Sequence, residues 1–208
     1  MNNFDVKKCT SQLFLYDSAF VRNNKEAIIT DLTIAYNRYM AENPTTTNIT
    51  WDYKKYNIFN LCMFSRPIVH LQNILYKYIF LYFEELEIKH DGFIIQAWLN
   101  YHTQKEQLLK VHTHDSPYHG YLSIQPLDSE TIFSSWTGED LHTIKNQVGL
   151  LYLNVSNQYT FHRVKMENTD NLNDQPRITL AFDFQPIPFV DSVKKLFHTV
   201  PTYDTVFK

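Results

Sequence analysis

A chain of 208 residues with 44% hydrophobic and 20% charged content suits a single globular domain with a sizeable core, and it contains no 18-residue apolar run that would span a membrane. With 19 basic against 22 acidic residues the formal charge is -3, which leaves no basic field for a phosphate backbone, so duplex nucleic acid is not an expected partner. Two cysteines, Cys9 and Cys62, make no disulfide framework, and the opening MNNFDVKKC lacks the apolar stretch of a signal peptide, so a reducing cytoplasm is the expected setting.

The first ninety residues read as helical. From Asn23 to Met40, Ile28, Leu32, Ala35 and Tyr39 step by four, three and four and share one helical face, and Asn43-Pro44 ends the run. The stretch Glu42 to Asn57 (ENPTTTNITWDYKKYN) has no period and is a loop or lid candidate. Ser65 ahead of Pro67 is a helix-start pattern. Ile68, Leu71, Leu75, Tyr78, Ile79, Tyr82, Phe83 and Leu86 then recur at helical spacing toward a stop at His90-Asp91-Gly92.

After Gly92 the pattern becomes that of short strands: Phe93–Tyr101, Leu108–His114, Tyr118–Gln125, Glu130–Ser134, Leu150–Val155, Tyr159–Val164 and Ile178–Phe184. Without helical segments between them, these seven predict an antiparallel sandwich or barrel rather than βαβ units. The expected fold is α+β: a double-stranded β-helix (jelly-roll) barrel with a helical N-terminal layer. It forms one domain, with 1–90 as helical support, 91–190 as the jelly-roll core and 191–208 as a C-terminal tail.

Nine histidines in the chain make His clusters the first place to look for chemistry. On a strand, His112 and His114 of VHTHD share parity, so both imidazoles can face one point, as Fe(II), Zn or Cu sites require. A metal needs a third ligand, and His162 in YTFHRV lies on a later strand that an antiparallel barrel can bring to the same mouth. A surface or packing pair is the alternative for His112 and His114. Arg177 follows His162 by 177 - 162 = 15 residues and shares parity with Thr179. Together an arginine fork and a hydroxyl can clamp a carboxylate. Here the alternative is a surface arginine paired with Asp174.

The order His-x-His, then His, then Arg-x-Thr resembles the Fe(II)/2-oxoglutarate-dependent dioxygenases, especially their prolyl-hydroxylase-like and phage-encoded branches. Four segments between Gln96 and Phe184 carry the resemblance: WLNYH, VHTHDSPYHGYLSIQP, GLLYLNVSNQYTFHRV and PRITLAFDF. It implies His112, His114 and His162 as iron ligands, and Arg177 with Thr179 as the holders of the distal carboxylate of 2-oxoglutarate. The family's usual motif is His-x-Asp, whereas this chain has His114 with Asp115 one place later. Asp115 is thus the alternative ligand if the strand bulges, or else orients an imidazole. Asn100 resembles the Asn-x-Tyr element of the branch that repairs alkylated nucleic acids, with His102 in the place of the tyrosine, and on its residues alone is a strand-end polar group. Tyr121 and Ser123 share a face on the next strand and could line the cosubstrate pocket. His119 and His142 have no expected partner, and Trp98, Trp136 and the tyrosine-rich helix read as packing.

The resemblance implies a small-molecule cosubstrate and hydroxylation of an unactivated C–H bond, in a cytoplasm that is the host's if the chain is phage-encoded. It leaves open whether the substrate is a peptide, a nucleotide or a metabolite. Two other functions remain compatible with the sequence. One is a cupin-like three-histidine metalloenzyme without 2-oxoglutarate; the other is a non-enzymatic jelly-roll binding or structural module. No Ser-His-Asp order, P-loop or Gly-x-Gly-x-x-Gly is present.

Overall fold

A computed structural model of the chain describes residues 13–156 and 160–188, together with the backbone at Lys7–Lys8 and Thr205–Phe207. The helical half contains α1 (Ala19–Asn23), α2 (Lys25–Glu42), α3 (Ile58–Leu61) and α4 (Arg66–Glu85). Ile28, Leu32, Ala35 and Tyr39 are the buried face of α2, as their spacing predicts. At the start of α4 the Ser65 hydroxyl accepts the Ile68 amide at 3.2 Å, with Pro67 in the first turn. α4 ends five residues earlier than expected. Glu87 adopts a left-handed φ of 54° and the Ile88 amide bonds back to the Phe83 carbonyl at 2.9 Å, closing the helix. His90-Asp91-Gly92 therefore opens a strand instead of stopping a helix.

The rest is two antiparallel sheets. The larger, seven-stranded sheet has the order β1 (Lys7–Lys8), β2 (Phe14–Asp17), β7 (Leu150–Val155), β4 (Tyr118–Gln125), β9 (Arg177–Pro188), β3 (His90–His102) and β10 (Thr205–Phe207). The smaller one has the order β6 (Asp140–Lys145), β5 (Ser129–Ser135), β8 (Thr160–Met166). Between β4 and β9 the chain crosses from one sheet to the other four times, β4 to β5, β6 to β7, β7 to β8 and β8 to β9, and among the described residues no ladder closes the sheets into a barrel. Leu108–His114, expected as a strand, is irregular. It touches β8 through a bridge between His112 and His162, with amide-to-carbonyl distances of 3.0 and 2.9 Å, and through Val164 N–H to the Leu109 carbonyl at 3.0 Å. Strands β2 and β6 were not expected, and β10 falls in the expected tail, most of which lies outside the described residues, as do Cys9 and Tyr159. Cys62 is a buried free thiol.

Period-two alternation divides the large sheet into two faces with different chemistry. In register across β3, β9 and β4 run the rows Ala97–Phe182–Gly120 and Leu99–Leu180–Leu122. These apolar rows meet the helices: Tyr82 of α4 packs edge-on against Phe14, Tyr118 and Phe184. The opposite face carries the rows Gln96–Asp183–His119, Trp98–Ala181–Tyr121 and Asn100–Thr179–Ser123, then the pair His102–Arg177. Polar groups in the middle of a buried sheet face need partners, and that face is where the site lies.

Candidate functional site

The polar rows form the floor of a cavity of about 230 Å³, and His162 and Val164 of β8, Thr131 of β5 and the irregular segment around His112 to Asp115 form its roof. The 3-10 turn Ile49–Asp52, inside the expected lid, covers one side with Thr50 and Trp51, and Tyr53 and Lys54 follow. Trp51 remains 57% exposed at the mouth.

His112, His114 and His162 converge, with one ring nitrogen from each lying within 4.8 Å of the others. The main-chain bridge explains the meeting of His112 and His162: it sets the rings 4.2 Å apart. Nδ1 of His112 donates to the Lys110 carbonyl at 2.7 Å, and Nδ1 of His114 donates to Oδ1 of Asp183 at 2.6 Å, so each ring has Nε2 left for the cluster. Burial, above other causes, holds the pKa of His112 below its ordinary value and that of His162 well below it, which favours the neutral, metal-binding form. Three neutral imidazoles suit a first-row divalent metal. Asp115 is exposed at the cavity mouth and stands outside this group of converging ligand atoms.

At the other end of the same floor lies Arg177, six residues along β9 from Asp183 and 2% exposed. Its Nε donates to the Ser129 hydroxyl at 3.0 Å and its Nη1 reaches Nδ1 of His102 at 3.4 Å. Among the described residues no carboxylate pairs with it, and the surface pairing with Asp174 does not occur. Burial pushes its pKa down to about 10. A buried guanidinium without a counter-charge is costly. Thr179 is beside it in the cavity wall, held by the Asn100 amide at 3.1 Å, and the Asn100 Oδ1 has no partner among the described residues. Tyr121 lines the wall between the two ends, where burial raises its phenol to about 12. Ser123 shares the Asn100–Thr179 row but is buried without lining the cavity.

Three residues exceed the sequence expectation. His119, with no partner expected, stacks on His114 at 4.3 Å and 8°, hydrogen-bonds Ser156 through Nδ1 at 2.8 Å, and leaves its buried Nε2 beside the cavity without a partner among the described residues. His102 lies beneath Arg177 and is kept well below its ordinary pKa by burial first and by the guanidinium second. Asp183, the carboxylate on His114, was not singled out, although it continues the parity of Arg177 and Thr179. Trp98 lines the cavity, Trp136 is 70% exposed rather than packed, and His142 stacks on Phe133 at 4.5 Å.

No family model and no curated protein matches the chain. Among solved structures it is similar to the crystal structure of IDO from Bacillus thuringiensis, at 16% identity and a TM-score of 0.40. The likeness covers 59% of this chain and 58% of that one, so the chain spans little more than half of that protein. The functional reading therefore rests on the geometry of the cavity. Among the described residues no helix is long and apolar enough to cross a membrane.

Proposed function

We propose that this chain is an Fe(II)- and 2-oxoglutarate-dependent oxygenase. One observation carries the reading: a single cavity holds three converging imidazoles at one end and, at the other, a buried arginine that no carboxylate among the described residues neutralises. A short dicarboxylate whose keto-acid end meets the metal and whose far carboxylate meets Arg177 satisfies both ends at once, which a lone metal or a lone anion does not. The unpartnered Asn100 Oδ1 and His119 Nε2 are further polar atoms that a ligand can satisfy. In the same reading the two sheets are the halves of a jelly-roll, supported by the repeated crossing of the chain between them from β4 to β9, and residues 1–208 form one domain.

His112, His114 and His162 would hold the iron, with Asp115 as the alternative ligand. Arg177, Thr179, Asn100 and Tyr121 would hold the cosubstrate. Bound there, iron supplies the oxidising chemistry, in which dioxygen and 2-oxoglutarate give succinate and carbon dioxide as a substrate C–H becomes C–OH. The chain's own part is positioning. Arg177 fixes the cosubstrate by a planar fork, and Ser129 and His102 fix Arg177 in turn. Burial favours the neutral form of His112 and His162, which keeps their ring nitrogens free for a metal. The turn at Thr50 and Trp51 limits water entry over the cavity and faces the side from which a substrate arrives.

A three-histidine metalloenzyme without 2-oxoglutarate is favoured by the all-imidazole ligand set, and Arg177 weighs against it. Incubation with Fe(II), oxygen and 2-oxoglutarate separates the two. The proposal expects succinate to form, in step with 2-oxoglutarate loss, in the wild type and not in Arg177→Met. Metal binding with neither succinate nor affinity for 2-oxoglutarate would leave the second reading.

A further inference from the structure

We propose that Asp183 is a positioning residue for the metal centre. Its carboxylate holds His114 with Nε2 turned toward His112 and His162, and it returns to the site, one hydrogen bond away, the negative charge that a carboxylate ligand would carry. The inference rests on the metal reading above.

Three neutral imidazoles leave the charge of a divalent ion without any compensation from its ligands, unlike a set of two histidines and a carboxylate. The fold places a carboxylate against one of the three rings. Asp183 lies in the row Gln96–Asp183–His119 on the cavity face of the large sheet, and Oδ1 is 2.6 Å from Nδ1 of His114. Both side chains are largely withdrawn from water, 9% exposed for His114 and 19% for Asp183, so the interaction is weakly screened. Among the described residues Asp183 has no lysine or arginine partner, so its charge is directed at His114. A carboxylate only accepts, so the contact selects the ring form with the proton on Nδ1 and the lone pair on Nε2. The ring is confined on its faces as well, stacking on His119 at 4.3 Å and lying 6.1 Å from Trp98 at 29°. His112 has only a main-chain carbonyl on its Nδ1.

The test uses the full chain and Co(II), whose visible spectrum reports coordination, with calorimetry for affinity. Asp183→Asn keeps an acceptor for Nδ1 but removes the charge, and Asp183→Ala removes both. Partners of this kind change metal affinity by on the order of 10–100-fold. We expect a loss near ~10-fold for Asn and nearer ~100-fold for Ala, with a changed Co(II) spectrum and an unchanged unfolding midpoint of the metal-free Asn variant. In a His114→Asp background, where the charge sits on the metal itself, Asp183→Asn should cost nothing or improve affinity. Affinities of Asn and Ala variants within threefold of wild type would overturn the inference while leaving the metal centre standing. So would an equal loss in the His114→Asp background, which is the mark of a merely structural role. Absence of Co(II) binding by the wild type would overturn the metal reading itself, and the inference with it.

Discussion

Arg177→Met asks whether the buried guanidinium serves the fold or an absent anion. The drop of its pKa to about 10, well below the ordinary guanidinium value and caused by burial, corresponds to about 3 kcal/mol against the charged form. Its two bonds, to Ser129 and, at a long 3.4 Å, to His102, return on the order of 1.5 kcal/mol each, the low end for a charged donor. Methionine removes both contributions and keeps much of the volume. The ligand-free chain should therefore unfold within about 1.5 kcal/mol of wild type, whereas breaking a buried ion pair costs about 3–5 kcal/mol. Binding should respond in the other direction: loss of a buried charged partner costs about 2–5 kcal/mol, at least ~30-fold in affinity for 2-oxoglutarate. Urea denaturation without anion, and calorimetry with 2-oxoglutarate in the presence of Mn(II) as a slow-reacting metal, measure the two. A stability loss above 3 kcal/mol, or unchanged affinity for 2-oxoglutarate, would refute the reasoning.

Further outcomes follow from the same geometry. His162→Ala should abolish tight Co(II) binding while His142→Ala, which removes a ring stacked on Phe133, leaves it intact; equal affinities would contradict the three-histidine assignment. His102, His119 and His162 are held neutral mainly by burial, so the unfolded chain takes up protons that the native chain does not, and stability is intact above about pH 6.5 and falls as pH drops below it. Each contributes up to about 1.4 kcal/mol by pH 5.5, so metal-free chain should lose as much as about 4 kcal/mol between pH 7.5 and 5.5, and a flat urea profile over that range would contradict the burial argument. Gly120→Ala places a Cβ 2.5 Å from the Tyr152 carbonyl and 2.6 Å from the Phe182 ring, so β4 must shift, at a cost of about 1–3 kcal/mol in thermal or urea unfolding.

How far the sequence could be read depended on how many residues each signal spanned. The apolar period of α4 covers five turns and predicts seven of its eight buried residues, passing over Tyr76, but its end is closed by the left-handed Glu87, which no periodicity encodes and which leaves Leu86 as a half-buried cap. Parity on β9 pointed to Arg177 and Thr179. Carried two steps further, through the small Ala181, the same parity reaches Asp183, and on β4 parity with Tyr121 reaches His119. These two were legible in principle and went unread because each lacked an obvious chemical partner in sequence. The convergence of the histidines was expected from a strand at Leu108–His114, yet the segment is irregular and the long-range bridge to His162 does the aligning. Strand β6 was missed because Ile144 is its only fully buried residue, so it shows no alternation.

The most direct measurement of the central claim is an anaerobic crystal structure after soaking with Fe(II) and 2-oxoglutarate. The account predicts one iron on His112, His114 and His162, with a cosubstrate chelating it and its far carboxylate on Arg177 and Thr179. Iron held through Asp115 instead of His114, or 2-oxoglutarate bound away from Arg177, would contradict it.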